Sequence, residues 1–598
     1  VSTSFTNESI RKEQMQTKFT FAKIAALILS IAGGLYLMPV LWGRTLTGHE
    51  SVQPQTSREM LNSGRWLIPT VGGDVWLERP PPPMWWIRVV YTISGVQASD
   101  SIARLAAVLA ALPILVLTAG IAKRLFGSGP ALMTGLILAT MHEFYSYAIN
   151  PEADIFLCLI VTAVLAVFVF QEFPQLGSSR AAPTPANLSW FGWRSWSMVG
   201  FFLLLGATNW AKGLLFGTVM ATAPIAVYLF SKVVQERSIQ PLRPYLWCWG
   251  WLMAVVAALA WPLAVIGQHP EIIQLWQEHY LGRLHRGYLQ EPWWYYAVQL
   301  PYVLLPWTLP AMVGLVVSAR AAWQRAGPER FIVCWALSSP LLLSLADGKH
   351  HHYLLHCLGS WAVLSAIGLA PLGNWLQQHL RRVPHSSAIG AAAIALLVGL
   401  AGILWHTKIP GGWSTVLGAI LFSSSATWMA LHACQQRSPV RAFAEILIPL
   451  LAGYCLWIPY QATYLDDYRD DLLFLQQVQK LIPEDAPVLV QYDWTAPLET
   501  FWVLYHMQRP GTLIRDPWQA AQKSQTSDAP SSPAYVLARR MDLSLYNQVG
   551  TVETLLESTK TRGEKTPSQR RVLYRIHFFQ PLPAGPEEYL RVVRRTLW

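Results

Sequence analysis

Five clusters of ionisable residues interrupt or end long apolar runs: His49-Glu50, Glu78-Arg79, Glu152 with Asp154, Glu278-His279 with Arg283, His285 and Arg286, and Asp347-Gly348-Lys349-His350-His351-His352-Tyr353. A charge at the edge of an apolar layer costs free energy unless it is hydrated, paired or used. Carboxylates beside histidines and fixed cations can deprotonate a hydroxyl or amine while stabilising a departing phosphate. Arginine offers phosphate a planar fork of donors, and Lys349 offers a compact charge. Each residue taken singly also fits a solvated loop charge. Three adjacent histidines on a regular helix cannot converge on one metal, because ligands on one face are spaced by three or four. Glu78 with His279 is the better metal pair, since carboxylate and imidazole both suit zinc, though two ligands leave its shell incomplete.

The elements that must position these groups are membrane helices. The chain has 598 residues, 53% hydrophobic and 13% charged, with 29 Trp. The pattern predicts a polytopic α-helical membrane protein with about thirteen spans, near 21-43, 100-122, 128-149, 152-172, 197-210, 212-232, 244-266, 296-318, 330-346, 351-370, 387-405, 412-432 and 442-460, the fifth and ninth being short. The first run is long enough to span and has no small-residue cleavage pattern, so it is expected to be a retained helix. The net charge of +11 lies mostly between spans, which fits orientation beside anionic lipid and argues against nucleic acid as a partner. Arg11, Lys12, Lys18, Lys23, Lys123, Arg124, Arg194, Lys232, Arg237, Arg243, Arg320, Arg325, Arg330, Arg381, Arg382, Arg437 and Arg441 share one side of this threading, the expected cytoplasmic side. The N-terminus falls there. The loops at 44-99 and 267-295, the Asp347 turn and the C-terminal tail fall on the external side. The six cysteines sit in or beside apolar runs without metal-ligand spacing and are expected to be small buried hydrophobes.

Residues 1-460 thus form the expected transmembrane domain and 461-598 a small α/β extracytoplasmic domain. In the loop at 44-99, aromatics beside prolines predict short interfacial helices or a simple aromatic belt. In the tail, Ala486 to Tyr492 and Ala534 to Ala538 read as strands, Asp467 to Lys480 and Thr551 to Thr559 as helices, and Gln522 to Pro533 as a loop. No Walker or Rossmann glycine pattern is present, which argues against nucleotide-driven transport.

Several segments, in order, resemble the membrane-embedded glycosyltransferases that use polyprenyl-phosphate sugars, a superfamily of protein O-mannosyltransferases and lipid A aminoarabinose transferases. They are Ser57-Arg58-Glu59-Met60-Leu61-Asn62-Ser63-Gly64-Arg65-Trp66-Leu67-Ile68-Pro69, Leu77-Glu78-Arg79-Pro80, Ala103-Arg104-Leu105, Ala211-Lys212-Gly213, Glu278-His279-Tyr280, Pro292-Trp293-Trp294-Tyr295-Tyr296, Pro306-Trp307 and Gly348-Lys349-His350-His351-His352-Tyr353. The resemblance implies the GT-C fold and direct displacement at the anomeric carbon, with inversion and departure of the polyprenyl phosphate. It implies a functional aspartate at Asp154, a donor-phosphate cation at Arg79, and donor contacts at Lys349 and Tyr353; Arg283, in the charged cluster of the external loop, is a further candidate contact to the donor phosphate or sugar on the chemistry of its side chain. It also implies metal ligands at Glu78 and His279. This chain departs from the pattern after the first span: His49-Glu50 stands where the family has an Asp-Glu pair, and Gln53 where it has a tyrosine. Either Glu50 takes over the acceptor-side role or His49 does.

The expected activity is inverting transfer of a sugar from a polyprenyl-phosphate donor to a lipid, glycan or protein acceptor at the external face of a bacterial inner membrane, with His49, Glu50 and Asp154 catalytic. Membrane lipids are expected partners, and a divalent metal such as zinc an expected cofactor. A lipid-linked substrate transporter and a catalytically altered lipid-binding homologue are the competing readings. A transporter predicts paired repeats with broken helices and charges near mid-membrane. An altered homologue predicts no covalent product.

Overall fold

The computed structural model describes residues 20–173, 195–277, 290–380, 439–525, 533–559 and 566–583. Seven of its helices are long and apolar enough to cross a membrane: Phe21–Trp42, Asp100–Phe126, Ala153–Glu172, Phe216–Glu236, Cys248–Ile266, His351–Leu376 and Ala442–Tyr464. A bent pair of apolar helices, Tyr295–Val303 and Thr308–Gln324, meets at 116° in the place of the expected span at 296-318. The chain is a multi-pass integral membrane protein. Shorter helices at Ser128–Thr140, Trp196–Ala207 and Pro328–Leu343 fill the remaining expected positions among the described residues. The expected spans at 387-405 and 412-432 lie outside those residues. The span at 296-318 is expected as one straight run, but Pro306 removes a backbone donor where the chain turns.

Leu41, Phe230, Val256, Leu263 and Leu309 are 61 to 71% exposed on the outer helix faces, as a lipid-facing surface requires, while the inner faces form one continuous core. Cys455 is also exposed, on the apolar Pro439–Tyr464 helix, so it is not the buried hydrophobe expected; Cys434 lies outside the described residues. One end of the bundle is basic. Arg124 Nε donates to Phe173 O at 2.7 Å, capping the Ala153–Glu172 helix, and Lys232 Nζ meets Glu172 at 2.6 Å. The functional candidates gather at the other end.

There the 44-99 loop forms a helix, Val52–Ser63, a two-stranded hairpin of β1 (Thr70–Val71) and β2 (Asp74–Val75), and a second helix, Pro82–Ser94. The second helix leaves Trp86 and Ile93 exposed, as an interfacial helix should. The first does not lie against lipid. Residues 51 to 58 are all buried, and Arg58 donates to the carbonyls of Leu504, Tyr505 and Met507 at 2.6 to 3.1 Å. A chain of backbone acceptors overrides the amphipathic reading.

Those carbonyls belong to an α/β unit with a five-stranded sheet. Its strands are β3 (Val488–Gln491), β4 (Gly511–Ile514), β5 (Ala534–Arg539), β6 (Gly550–Glu557) and β7 (Arg571–Phe578), in the order β4-β3-β5-β7-β6. β3 runs parallel to β4 and β5, whereas β7 is antiparallel to β5 and β6. Residues 551 to 559, expected as a helix, instead form most of β6: Val552 and Thr554 are β-branched, and pairing with β7 satisfies the backbone. The Arg469–Leu481 and Pro517–Gln525 helices flank the sheet, the latter covering the start of the expected 522-533 loop. The sheet's apolar face shares one core with Met60, Val71, Trp76 and Met84 of the first loop.

Candidate active site

The outer end of the Ala153–Glu172 helix carries the most buried carboxylate of the set. Asp154 is 1% exposed, and its Oδ1 accepts from Lys212 Nζ at 2.5 Å, with His352 Nε2 at 3.9 Å. Lys212 reaches it from a break in the chain between the short Asn209–Lys212 helix and the Phe216–Glu236 span. Asn209 holds that break: its Nδ2 donates to Gly206 O and Thr218 Oγ1, both at 2.9 Å, and its Oδ1 accepts from Leu215 N at 2.7 Å. Leu215 sits at φ 68°, a left-handed conformation that a branched residue adopts only under constraint. The Lys212 ammonium also lies 4.4 Å from the centre of the Tyr353 ring.

Lys212 was visible in the sequence only as part of Ala211-Lys212-Gly213 and was not taken as a site residue. The signal was a lone lysine between two apolar runs; an unpaired cation there is expensive, so it implies a carboxylate partner.

The second cluster forms a small cleft lined by His49, Val52, Gln53, Trp76, Glu78, Arg79, Glu152, Ala153, Leu498 and Phe501. His49 Nδ1 lies 3.0 Å from Glu152 Oε2. The contact is a close ion pair and not an aligned hydrogen bond, since that oxygen has no well-directed donor. The Glu152 charge raises the proton affinity of His49 above that of a free imidazole, against the opposing effects of burial and Arg79. Arg79 is half-buried and makes no hydrogen bond or ion pair among the described residues, so its guanidinium is available to a ligand. Gln53 Oε1 and Trp76 Nε1 are buried without a partner. Two indoles hold this wall: Trp261 Nε1, from the Cys248–Ile266 helix, donates to Leu67 O at 3.0 Å, and Trp276 Nε1, from the segment after it, donates to Leu77 O at 2.9 Å.

Glu50 is placed differently from its neighbour. It is 2% exposed, and its two oxygens accept from Arg44 at 2.6 and 2.9 Å, with Thr47 N at 2.8 Å and Arg104 at 3.8 Å. Burial would raise its pKa, but the adjacent Arg44 guanidinium outweighs it and holds the carboxyl below its ordinary value. A carboxylate clamped by arginine has little capacity to take a proton. Glu50 therefore fixes the loop and does not line the cleft.

Lys349, expected at the donor phosphate, is 3% exposed and donates to Glu291 O at 2.8 Å and to Ala346 O. Its donors close the Asp347 turn against the segment entering Tyr295–Val303, so its ammonium serves the backbone. The three histidines fan apart as their adjacency required. His351 Nδ1 meets the buried Glu143 at 2.6 Å, His352 turns to Asp154, and His350 stacks on His352 at 5.1 Å. Of the implied metal pair, Glu78 lies in the cleft, while His279 and also Arg283 lie outside the described residues. Among the described residues no group of three or more His, Cys, Asp or Glu has metal-binding geometry.

The site thus joins a buried carboxylate–ammonium pair, a histidine backed by a carboxylate and an arginine unpaired among the described residues, all at one end of a helix bundle. Residues 78–176, which hold Arg79, Glu152 and Asp154, match the family described as dolichyl-phosphate-mannose-protein mannosyltransferase. The undecaprenyl phosphate-alpha-4-amino-4-deoxy-L-arabinose arabinosyl transferase 1 of Sodalis glossinidius is 28% identical over 70% of this chain and 73% of its own length. The corresponding transferase of Pectobacterium carotovorum is 28% identical over 78% of this chain and 81% of its own. ArnT from Cupriavidus metallidurans, in a crystal structure bound to undecaprenyl phosphate, superposes with a TM-score of 0.69 at 19% identity, covering 92% of this chain and 97% of ArnT. The chain therefore has the fold of that membrane protein.

Proposed function

We propose that this protein transfers a sugar from a polyprenyl-phosphate donor to a nucleophilic acceptor, with inversion, in a chamber at the external face of a bacterial inner membrane. The observation that carries the reading is the cleft, where Arg79, unpaired among the described residues, stands beside the His49–Glu152 pair, next to the buried Asp154–Lys212 pair. Arg79 holds the donor phosphate, and Tyr353 with Lys212 closes the sugar side. His49 takes the proton of the acceptor as the acceptor oxygen or nitrogen forms its bond to the anomeric carbon. The bond from that carbon to the phosphate oxygen breaks, and its electron pair leaves with the polyprenyl phosphate. Asp154, kept anionic and fixed by Lys212, faces the positive charge that develops on the sugar ring. Glu50 and Lys349 act as positioning residues. Residues up to about 464 make the catalytic membrane domain, and the unit after them is extracytoplasmic.

The names of the relatives make undecaprenyl-phosphate 4-amino-4-deoxy-arabinose the first donor to try. Purified protein in nanodiscs is incubated with a panel of labelled polyprenyl-phosphate sugars and membrane extract. Labelled product with wild type, and none with Asp154→Asn, is the expected result. Absence of both donor binding and transfer across the whole panel would refute the reading.

A further inference from the structure

The loop that carries His49 is held from two directions. Below it, Glu50 is gripped by Arg44. Above it, the C-terminal unit takes one backbone group after another. Thr45 N donates to Asp466 Oδ2 at 2.9 Å, Leu46 O accepts from Trp502 Nε1 at 2.8 Å, and Gly48 N donates to Tyr468 Oη at 3.0 Å. Gly48 approaches so closely that a Cβ there would meet Leu498 O at 2.8 Å, so no larger residue fits without moving the loop.

The Tyr468 hydroxyl accepts from Gly48 and donates to Glu499 Oε1 at 2.7 Å; Glu499 Oε2 in turn accepts from Arg571 Nη2 at 2.9 Å. Each member fixes the next. Arg571 orients the carboxylate, the carboxylate orients the hydroxyl proton, and the oxygen lone pair is thereby aimed at the amide before His49. The relay is dry and stiff: Tyr468 is 3% exposed and stacks on Trp502 at 5.0 Å, while Arg571 is 4% exposed. Its members come from the start of Arg469–Leu481, from the Pro497–His506 helix and from β7, so folding of the sheet is what assembles them.

We propose that the C-terminal unit is part of the acceptor-activating machinery: the Arg571–Glu499–Tyr468 relay sets where His49 stands in the cleft by holding the Gly48 amide. The three residues are positioning residues, and their role rests on the reading of His49 as the proton acceptor. A base displaced by about 1 Å loses up to about a hundredfold in rate while the donor site keeps its affinity.

The test uses full-length protein in nanodiscs with a donor that the panel above shows to be turned over. Tyr468→Phe keeps the stacked ring and deletes only the hydroxyl. It is expected to lower kcat at least tenfold, with donor KM within twofold of wild type and only a small drop in unfolding temperature, since the Gly48 amide and Glu499 lose one hydrogen-bond partner each. If that variant does not accumulate, Glu499→Gln, which keeps an oxygen for the tyrosine, is expected to show the same split at a few-fold loss in kcat. A kcat within twofold of wild type would overturn the proposal. So would parallel losses of kcat, donor affinity and unfolding temperature, the signature of general damage. His49→Gln is run alongside: if it transfers as fast as wild type, the base assignment itself fails, whatever the relay variants do.

Discussion

Replacing Lys212 by Met tests whether the Asp154–Lys212 pair is chemistry or scaffold. The side chains are 1% and 7% exposed, their charged atoms are 2.5 Å apart, and the His352 imidazole is 3.9 Å from the same oxygen. Lys212→Met therefore strands a buried carboxylate, a loss of about 3 to 5 kcal/mol. Asp154→Asn strands the ammonium in the same way. In the double variant Asp154→Asn/Lys212→Met neither charge remains, and replacing a buried pair by neutral groups is often nearly neutral for stability. Catalysis does not recover in parallel. A carboxylate about 4 Å from a developing positive charge, at an effective dielectric constant near 20, contributes about 4 kcal/mol, or about a thousandfold in rate. Unfolding is followed in nanodiscs at one fixed scan rate, because large membrane proteins unfold irreversibly, and transfer by single turnover with labelled donor. The expected pattern is a lowered unfolding temperature for each single variant, a largely restored one for the double, and transfer about a thousandfold down in the double. A double variant that transfers at the wild-type rate would refute the catalytic role of Asp154, and a Lys212→Met variant as stable as wild type would refute the burial argument.

Other predictions are more direct. His49 must be neutral to accept a proton, and Glu152 raises its pKa above the ordinary 6.5, so kcat/KM is expected to fall as pH drops through a midpoint above 6.5; His49→Gln should abolish that limb of the profile. Arg79→Gln should weaken binding of undecaprenyl phosphate about tenfold or more, measured by titration in nanodiscs, and Arg79→Lys should retain most of it, because the charge is kept while the fork is lost. Arg58→Met strands the carbonyls of Leu504, Tyr505 and Met507 at about 1 to 3 kcal/mol each at most, and should loosen the C-terminal unit from the first loop, read as faster proteolysis between them.

The membrane helices were legible because about 20 apolar residues in a row leave few alternatives. The gathering of the clusters at one end of the bundle was legible too, since basic residues such as Lys123, Arg124 and Lys232 lie at the opposite end. What escaped depended on partners far away in the chain. Val52–Ser63 has the composition of an interfacial helix, yet Arg58 finds acceptors about 450 residues on, and that contact decides which surface the helix buries. Residues 551 to 559 have no strong local preference, and their strand conformation comes from β7, which lies later in sequence. Lys212 looked like the flank of a span because its carboxylate partner is 58 residues away.

The same logic separates His49 from Glu50, adjacent residues that sequence alone left as equal candidates. A carboxylate is the stronger candidate by type, and the resemblance favoured an acid near this place. Arg44 reverses that ranking. Only six residues from Glu50, it engages both carboxylate oxygens, and Arg104 adds a second cation 3.8 Å away, so the acid is held ionised and turned from the cleft. His49 meets Glu152, which increases its capacity to hold a proton, and it faces the cavity. The residue that departs from the family pattern is therefore the one whose surroundings suit proton acceptance, and the loss of a negative charge at position 49 is offset by Glu152 directly behind it. Transfer by this protein should accordingly depend on Glu152 as strongly as on His49: Glu152→Gln should return the pH midpoint toward that of a free imidazole and lower transfer, whereas Glu50→Gln should act through loop stability and lower the unfolding temperature first.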